Sequence, residues 1–283
     1  MKLFRAFSCL HIALLLNSIF FICSCSNNTG NPDIQLTRDY IIKHAPVLSP
    51  KDFIRFTNVE KGFELQLVAA EPDIITPVSM VFDNQSRIWA VEMTSYMPDI
   101  EGTGEYSPTG KIVILGDTDN DGYYEKRTVF LDSLILPRAI AFVGNGILVA
   151  EPPNLWYFEI NNDKPQNKKL VDAHYTEGNN VEAQSNGLCR AMDNWIYNAG
   201  SDKRYKKVDT GWVIEKTHLR GQWGISQSDD GRLFYNNNSQ NLLGDYFLSG
   251  LGSNNPDVPT ISGFNQRIVP DNTLFPCRPT PGV

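Results

Sequence analysis

Short apolar stretches alternate with polar turns through most of the chain beyond residue 60. In four places an apolar stretch, a turn containing Asp, Asn or Gly, and a second aliphatic or aromatic stretch follow one another. Short apolar stretches bounded by such turn residues are typical of antiparallel β-hairpins. The pattern therefore predicts four hairpins, at 78–82 with 87–91, 139–142 with 146–150, 187–191 with 195–197, and 223–226 with 232–235.

Further strands are predicted between these hairpins. They are expected at 62–68, 111–115 and 128–130, and another hairpin joins 205–208 to 212–214. Units of several strands that recur about every 40–50 residues are typical of a β-propeller. We therefore expect an all-β fold, a β-propeller of the six-bladed type of which about four blades lie in this chain. A β-sandwich or a β-helix is the alternative.

Four units of this kind do not complete a six-bladed ring. A propeller closes only when all of its blades are present, and residues 278–283 contain no strand pattern. We therefore expect the chain to be the N-terminal portion of a longer product, with some blades encoded further on.

The first residues have the layout of an export signal. Lys2 and Arg5 give a positive start, and residues 10–23 are almost wholly apolar. An apolar stretch of this length is short for a membrane span and typical of a signal peptide. It ends in Ile-Cys-Ser-Cys, which resembles a bacterial lipobox with Cys25 as the lipidated residue. A plain secretory signal that is cut nearby is the alternative.

The chain is accordingly divided into three parts. Residues 1–25 are a lipoprotein signal peptide, 26–55 a polar, proline-containing tether, and 56–283 a partial β-propeller, with a short helix predicted near 51–56. Lipidation of Cys25 would anchor the protein in the cell envelope, to the inner or outer membrane, facing the periplasm or the cell exterior. The membrane is therefore the first predicted partner.

Charge and cysteine content exclude several other functions. The formal net charge is −7 and no long basic run follows the signal, so nucleic acid is not an expected partner. The sequence contains no Cys-x-x-Cys-His and no zinc-type spacing of cysteine and histidine. We therefore expect no haem site in this chain.

Carboxylates recur at alternating positions in the segment 117–125, Asp-Thr-Asp-Asn-Asp-Gly-Tyr-Tyr-Glu. Hard oxygen ligands at this spacing suit Ca²⁺, and Gly122 permits the sharp turn. An EF-hand would need a glutamate where Thr128 stands, and helices rather than strands would flank it. An acidic turn without an ion is the alternative. The predicted calcium ligands are Asp117, Asp119, Asp121, the carbonyl of Tyr123, and Glu125.

A second polar cluster consists of three segments that each lie at the edge of a predicted strand, 179–188, 199–204 and 219–224. In a propeller such edges line one mouth of the central channel, where ligands bind. We therefore expect the charged residues of these segments to converge on a site. Each of them can equally be a solvated loop charge or part of an ion pair between blades. The candidates are Glu182, Asp202 and Arg220.

Several segments occur in the order found in one known group of proteins, namely 64–72, 117–130, 193–197, 220–225 and 231–238. Through them the chain from about Gly62 onwards resembles the soluble quinoprotein sugar-dehydrogenase-like propellers. Within that group it is most similar to the membrane-bound dehydrogenase domains of bacterial envelope proteins. Those proteins often carry a cytochrome c module further along the chain.

The resemblance implies a set of site residues. In that group a histidine takes the proton of a sugar hydroxyl, an aspartate orients the histidine, and hydride passes to pyrroloquinoline quinone beside an arginine. Asp202 and Arg220 match the aspartate and the arginine, which implies catalytic roles for both, with Arg220 and Gln222 at the cofactor. Ala183 stands where the histidine is expected, and alanine cannot accept a proton.

Two functions therefore remain open. The first is an envelope oxidoreductase that oxidises a sugar or alcohol with a quinone cofactor and passes electrons to a cytochrome c. The second is a non-catalytic propeller that binds carbohydrate or a protein partner. Ala183 favours the second, whereas the matches at Asp202 and Arg220 favour the first. His174 is the nearest histidine upstream that could replace the missing base.

Overall fold

A computed structural model describes residues 47–176, 180–251 and 261–271. Apart from Val47, these residues belong to one compact unit, 48–274. The predicted signal peptide with Cys25, and the tether as far as residue 46, lie outside the described residues. Within the described ranges, no helix is both long enough and apolar enough to span a membrane.

One short α-helix, α1 (Pro50–Phe56), precedes the sheets. Ser49 caps it, because its hydroxyl oxygen accepts a hydrogen bond from the amide of Asp52 at 3.1 Å. Pro50 begins the helix, where the missing N–H of proline is not needed. The helix predicted near 51–56 is thereby confirmed, and none of its side chains is buried.

Sixteen strands in the described residues form four antiparallel sheets of four strands each, arranged as the blades of a β-propeller. Each sheet is a meander, and we number the blades in chain order. Blade 1 consists of β1 (Pro77–Phe82), β2 (Ile88–Glu92), β3 (Gly110–Gly116) and β4 (Lys126–Leu134). Blade 2 consists of β5 (Ala139–Val143), β6 (Gly146–Glu151), β7 (Asn154–Asn161) and β8 (Lys164–Asp172). Blade 3 consists of β9 (Asn186–Arg190), β10 (Ile196–Ala199), β11 (Ser201–Val208) and β12 (Gly211–Arg220). Blade 4 consists of β13 (Ile225–Gln227), β14 (Leu233–Asn237), β15 (Gln240–Gly244) and β16 (Gln266–Arg267).

The four predicted hairpins are confirmed as the first two strands of the four blades. The strands predicted at 111–115 and 128–130 are β3 and β4, and the hairpin predicted at 205–214 is β11 with β12. The pattern was informative because strands that pack between blades need apolar side chains, whereas the turns between them need Asp, Asn or Gly. The predicted all-β propeller with four blades is therefore confirmed.

The strand predicted at 62–68 is wrong, because this segment joins no sheet. The chain after it lies on the face of blade 1 that points away from blade 2, where Ala69 and Ile74 pack against the buried Ile88 and Val113. A backbone hydrogen bond from the amide of Tyr124 to the carbonyl of Val68, at 2.8 Å, joins the segment to the loop before β4. A segment that lies flat on a sheet has one covered side and one exposed side, so it shares the alternation of a strand.

The blades pack face to face, with their first strands side by side, β1 beside β5, β5 beside β9, and β9 beside β13. Trp89 lies at the centre of the core between blades 1 and 2 and is 1% exposed. Its ring meets those of Phe130 and Phe142 edge-on, with centroids 4.7 and 5.2 Å apart. Truncating such a side chain to alanine costs about 3–5 kcal/mol. Comparable cores lie between blades 2 and 3 and between blades 3 and 4.

The meander topology places the turns alternately at the two ends of each blade. The connections between second and third strands, and from one blade to the next, lie at one end, which we call the mouth. The first and third turns of each blade lie at the other end, which we call the base. Residues 180–188, 199–204 and 219–224 are therefore at the mouth, whereas the acidic loop 117–125, between β3 and β4, is at the base.

Candidate functional site at the mouth

A cavity of about 730 Å³ opens at the mouth beside blade 3, and we call it the mouth cavity. Its wall is built by the connection from β8 to β9, the turn between β10 and β11, and the end of β12. The three polar segments of the sequence therefore do contribute to one site. Most of the side chains that line it are polar, among them Thr176, Asn180, Gln184, Ser185, Ser201, Asp202 and Lys203.

Hydrogen bonds between the mouth connections fix this wall. A short 3₁₀ turn begins after Asn180, whose side-chain oxygen accepts a hydrogen bond from the amide of Glu182 at 2.9 Å. Ser185 then joins two connections, because its hydroxyl donates to the carbonyl of Gly200 at 3.2 Å and its amide donates to Thr176 Oγ1 at 3.4 Å. Ser185 is buried, so these bonds satisfy polar groups that water does not reach.

An ion pair supports the polar side of the mouth cavity. Lys203 Nζ lies 3.0 Å from Asp172 Oδ2 and also donates to the carbonyl of His174. Asp172 accepts two further hydrogen bonds, from the hydroxyl of Tyr205 at 2.9 Å and the amide of His174 at 2.8 Å. Burial by itself would raise the pKa of Asp172, but the hydrogen bonds from Lys203, His174 and Tyr205 hold the pKa below its ordinary value. The charged carboxylate therefore keeps the ammonium at the cavity wall, with one of its three protons available to a ligand.

Three residues singled out from the sequence line the mouth cavity, namely His174, Ala183 and Asp202. The fold thus brings an imidazole and an exposed carboxylate to one cavity from two different connections. Glu182 is exposed and is not among the lining residues. Ala183 contributes only a methyl group, so the position at which the resemblance places the base offers no proton acceptor.

Arg220 lies away from the mouth cavity, in an ion pair between blades 3 and 4. It is 1% exposed, and its Nε donates to Asp245 Oδ2 at 2.8 Å. Its Nη1 donates to Thr217 Oγ1 at 3.1 Å and to the carbonyl of His218 at 3.2 Å. Of the two interpretations that the sequence left open for Arg220, this conformation agrees with the ion pair between blades. A catalytic role for it stays a prediction.

Gln222 is also occupied by contacts within the protein. Its side-chain oxygen accepts a hydrogen bond from the amide of Asn238 at 3.3 Å, and its carbonyl accepts one from Asn186 Nδ2 at 2.8 Å. Neither Gln222 nor Arg220 lines the mouth cavity. A role of Arg220 and Gln222 at a quinone therefore stays a prediction that the lining of this cavity does not support.

Sequence reasoning missed Asp172 and Tyr205, which set the position of Lys203. Lys203 directly follows the predicted Asp202, so its place at the mouth was within reach of the sequence. The ion pair of Lys203 with Asp172 could not be predicted from the sequence, because it joins the last strand of blade 2 to β11 of blade 3.

At the base, three of the predicted calcium ligands cluster. One carboxylate oxygen from each of Asp117, Asp119 and Glu125 lies within 4.8 Å of the others, a donor set that could hold a metal ion. Asp121 is not in this group, and its Oδ1 accepts a hydrogen bond from the amide of Tyr123 at 2.7 Å. Three hard oxygen donors from one loop fit Ca²⁺ in type, although Ca²⁺ takes six to eight ligands.

Hydrogen bonds within the acidic loop fix the position of Asp117. Asp117 accepts hydrogen bonds from the amides of Asn120 at 2.6 Å and Gly122 at 2.9 Å. Slight burial would raise the pKa of Asp117, but these amides hold the pKa below its ordinary value. A hydrogen bond from the hydroxyl of Thr118 likewise lowers the pKa of Glu125. Both carboxylates are thereby kept charged.

A second cavity of about 720 Å³ lies at the base between blades 1 and 2, and we call it the base cavity. Arg87 lies in its wall with a carboxylate on either side: Nε donates to Asp83 Oδ2 at 2.8 Å, and Nη1 donates to Asp163 Oδ2 at 2.6 Å. Asp83 also accepts a hydrogen bond from Trp89 Nε1 at 3.0 Å. Arg87 thus joins a carboxylate of blade 1, Asp83, to one of blade 2, Asp163, so we interpret the group as a clasp between the first two blades.

Comparison with known proteins gives one family. A family model described as Domain of unknown function (DUF7133) matches residues 49–278. The chain belongs to this family. No curated protein matches the chain.

Solved structures of other propeller proteins are similar at a low level. They include a gluconolactonase from Xanthomonas campestris, with 14% identity and a TM-score of 0.40 over 60% of this chain and 57% of that chain. The PQQ domain of pyranose dehydrogenase from Coprinopsis cinerea gives 12% identity and a TM-score of 0.43 over 62% of this chain and 46% of that chain. Regucalcin from Agrobacterium tumefaciens, a calcium-binding protein, gives 13% identity and a TM-score of 0.40 over 56% and 52%. The match thus spans about half the length of these chains, and a likeness this low does not extend to activity.

Proposed function

We propose that the protein is a non-catalytic carbohydrate-binding propeller that takes its ligand in the mouth cavity. The observation that carries this proposal is the polar lining of a cavity of about 730 Å³ at the end of the blades where the connections converge. Cavities of this size accommodate small ligands, and a few well-placed polar groups determine which ligand binds.

The lining groups are those that recognise hydroxyl-rich ligands. Asp202 is exposed at the wall and can accept two hydrogen bonds from neighbouring hydroxyls. Lys203 is held beside it by Asp172 and can donate one. Thr176 and Asn180 add hydroxyl and amide groups on the opposite connection. No group at Ala183 can take a proton, which favours binding over chemistry.

Direct binding measurements test this proposal. Isothermal titration of the protein with a panel of neutral and acidic monosaccharides should give saturable heat for at least one of them. Asp202→Asn and Lys203→Met should each weaken that binding about tenfold or more, because each removes a charged hydrogen-bonding group that is worth about 1.5–3 kcal/mol. Asp209→Asn removes an exposed carboxylate from the β11–β12 turn at the base and serves as the matched control. Equal affinities for Asp202→Asn and Asp209→Asn would contradict the mouth cavity as the site.

A second candidate function is oxidation of a sugar or alcohol with a quinone cofactor, with electrons passing on to a cytochrome c. The presence of His174 and Asp202 in the same cavity favours it. The test is reconstitution with pyrroloquinoline quinone and Ca²⁺, followed by dye reduction on several aldoses. Turnover that His174→Ala abolishes and Asp209→Asn leaves unchanged would support the enzyme. An inactive protein that Ala183→His does not rescue would leave carbohydrate binding as the function.

The acidic loop is proposed as a calcium site, on the strength of the clustered carboxylates of Asp117, Asp119 and Glu125. Removal of bound Ca²⁺ by a chelator should lower the melting temperature, because a ligand that binds only the folded state stabilises it. Asp119→Ala should abolish the response to chelator, whereas Asp209→Ala should retain it. A melting curve of the wild-type protein that chelator and added Ca²⁺ both leave unchanged would rule the site out.

The proposed location is the cell envelope, with a lipid on Cys25. Cys25→Ser should release the protein from membranes into the soluble fraction, and Cys9→Ser should not, because Cys9 lies within the proposed signal. Retention of the Cys25→Ser protein on membranes would point to a different attachment.

A further inference from the structure

Three arginines in the described part of the chain are buried, Arg138, Arg204 and Arg220, with 6%, 5% and 1% exposed. Arg204 forms an ion pair with Glu215 at 2.7 Å, and Arg220 forms one with Asp245 at 2.8 Å. Arg138, which directly precedes β5 at the mouth, forms no ion pair with any described residue. Buried guanidinium groups are normally paired with an acidic group, so Arg138 is an exception among the buried arginines of the described residues.

The hydrogen bonds of Arg138 leave one edge of its guanidinium group vacant. Nη1 donates to the carbonyl of Val181 at 2.8 Å. Nε and Nη2 are buried and have no hydrogen-bond partner in the described part of the chain. These two nitrogens form the side of the guanidinium that donates two parallel hydrogen bonds to a carboxylate. The vacant edge therefore has the geometry of a carboxylate receptor.

Arg138 is joined to the wall of the mouth cavity through its hydrogen bond to Val181. Val181 opens the 3₁₀ turn that ends at Ala183, and Ala183 lines the cavity. Tyr175 also lines the cavity, is 2% exposed, and has a buried hydroxyl without a hydrogen-bond partner in the described residues. Burial lowers the pKa of Arg138, and the carboxylate of Glu105 is among the groups that oppose this effect. Two buried polar side chains with unpartnered atoms in the described residues are thus associated with the same cavity wall.

An unpaired buried cation destabilises the protein that carries it, because no counter-ion compensates for lost hydration. A ligand that brings a carboxylate would supply the missing charge and two hydrogen-bond acceptors. We propose that Arg138 and Tyr175 form an anion subsite of the mouth cavity, which binds the carboxylate of a sugar acid such as a hexuronate or an aldonate. This inference rests on the proposed function and names the class of carbohydrate that the cavity prefers.

The ligand reaches the guanidinium only when the cavity wall moves, since both vacant nitrogens are covered. Movement of the Tyr175 side chain breaks no hydrogen bond of its hydroxyl to the described residues, although its ring packs in the core between blades 2 and 3. Its ring packs near that of Tyr205, with centroids 6.2 Å apart. Rotation of Tyr175 would bring its hydroxyl and the Arg138 edge to the same carboxylate.

Matched pairs of neutral and acidic sugars test the subsite in the full chain. Isothermal titration should compare glucose with glucuronate, galactose with galacturonate, and glucose with gluconate. We expect the wild-type protein to bind at least one acid about tenfold or more tightly than its neutral partner. Arg138→Met should remove that preference and leave the affinity for the neutral sugar unchanged. Arg138→Lys keeps the charge but lacks the two-nitrogen edge, so it should retain only part of the preference.

Arg190→Met is the control for net charge, since Arg190 is exposed at the end of β9 and donates to Asn194 at 2.9 Å. It should keep the wild-type preference for acids. The melting temperature separates a ligand-binding role from a structural one. Arg138→Met should melt within a few degrees of the wild-type protein, because the side chain it removes forms no ion pair with the described residues.

Each failure is distinguishable. Equal affinities for acid and neutral sugars in the wild-type protein would overturn the anion subsite and leave carbohydrate binding intact. Loss of preference in Arg190→Met as well as in Arg138→Met would show a general effect of charge and would overturn the assignment to Arg138. Binding of acetate or phosphate as tight as that of the sugar acids would identify a free anion as the ligand. Binding of no sugar at all would overturn the proposed function together with the subsite.

Discussion

Arg138 and Arg220 are both buried, yet their surroundings differ in charge. Arg220 lies between blades 3 and 4, where Asp245, itself 0% exposed, accepts from its Nε. Asp245 is in turn held by the hydroxyl of Tyr235 at 2.7 Å. Arg138 lies at the mouth between blades 2 and 3, and a single backbone carbonyl accepts from it. In the described part of the chain neither Nη2 has a hydrogen-bond partner, but Arg220 forms an ion pair with a carboxylate and Arg138 does not.

The difference separates charges that hold blades together from a charge that is left for a ligand. An ion pair between two blades is complete in the folded protein, as in the clasp of Arg87 with Asp83 and Asp163 at the base. A binding site needs groups that are incomplete until the ligand arrives, and these reduce stability. Arg220 belongs to an ion pair that joins two blades, whereas Arg138 resembles a group of a binding site. Both are arginines near the ends of strands.

The largest expected effect is on the paired arginine. Arg220→Met leaves Asp245 as a buried carboxylate without its cation, which should lower the free energy of unfolding by about 3–5 kcal/mol. Urea unfolding followed by tryptophan fluorescence measures this loss. The double variant Arg220→Met with Asp245→Leu should recover much of it, because it removes both charges. A loss below about 1 kcal/mol for Arg220→Met would remove the contrast with Arg138.

Two buried tyrosines, Tyr235 beside Arg220 and Tyr175 near Arg138, allow the same comparison for the removal of a single hydroxyl group. Tyr235→Phe removes a hydrogen bond to the charged Asp245 and should lower the free energy of unfolding by about 1.5–3 kcal/mol. Tyr175→Phe removes a hydroxyl that has no partner in the described residues, so stability should stay the same or rise slightly. Thermal and urea unfolding of the two variants under the same conditions decide the matter. Equal losses would mean that the Tyr175 hydroxyl has a structural partner.

The smallest expected effect concerns Asp172, a carboxylate at the mouth that forms an ion pair with Lys203. Because its pKa in the folded protein lies below the ordinary value, Asp172 contributes stability above an unfolded pKa of about 4. That contribution is lost as the pH falls through the lowered folded pKa. Asp172→Asn should therefore flatten part of the decrease in melting temperature between about pH 4 and pH 2. Asp209→Asn is the control, and a slope identical in both variants would contradict the assignment.

Much of the fold could be predicted from the sequence because its signals are local. Two residues of each turn and the apolar residues on either side are enough to indicate a hairpin, and all four predicted hairpins exist. The turn between β7 and β8 carries the same kind of signal, with Asn162 and Asp163 both at positive φ. The prediction of a strand at 62–68 was wrong because alternation of apolar and polar residues does not distinguish a strand paired in a sheet from a segment that lies flat on one.

The candidate site was predictable only in part. The sequence placed Ala183 and Asp202 in segments at strand edges, with His174 a few residues upstream, and the repeated meander brings those edges to one end. The pairing of Arg220 with Asp245 depends on how blade 4 turns against blade 3, which no local pattern expresses. Arg138 carried one unused signal, a charged residue directly before the apolar stretch 139–143.

By itself the sequence determined the repeated hairpins, the all-β class and the residue types available at each edge, because short-range sterics and hydrophobic alternation act between near neighbours. The tertiary structure alone decided which charges are paired and which are not. Pairing depends on distances of a few ångströms between residues on different blades, and on the burial that makes an unpaired charge unfavourable. An arginine therefore stabilises a blade interface at Arg220, whereas at Arg138 two nitrogens of the guanidinium have no hydrogen-bond partner in the described residues.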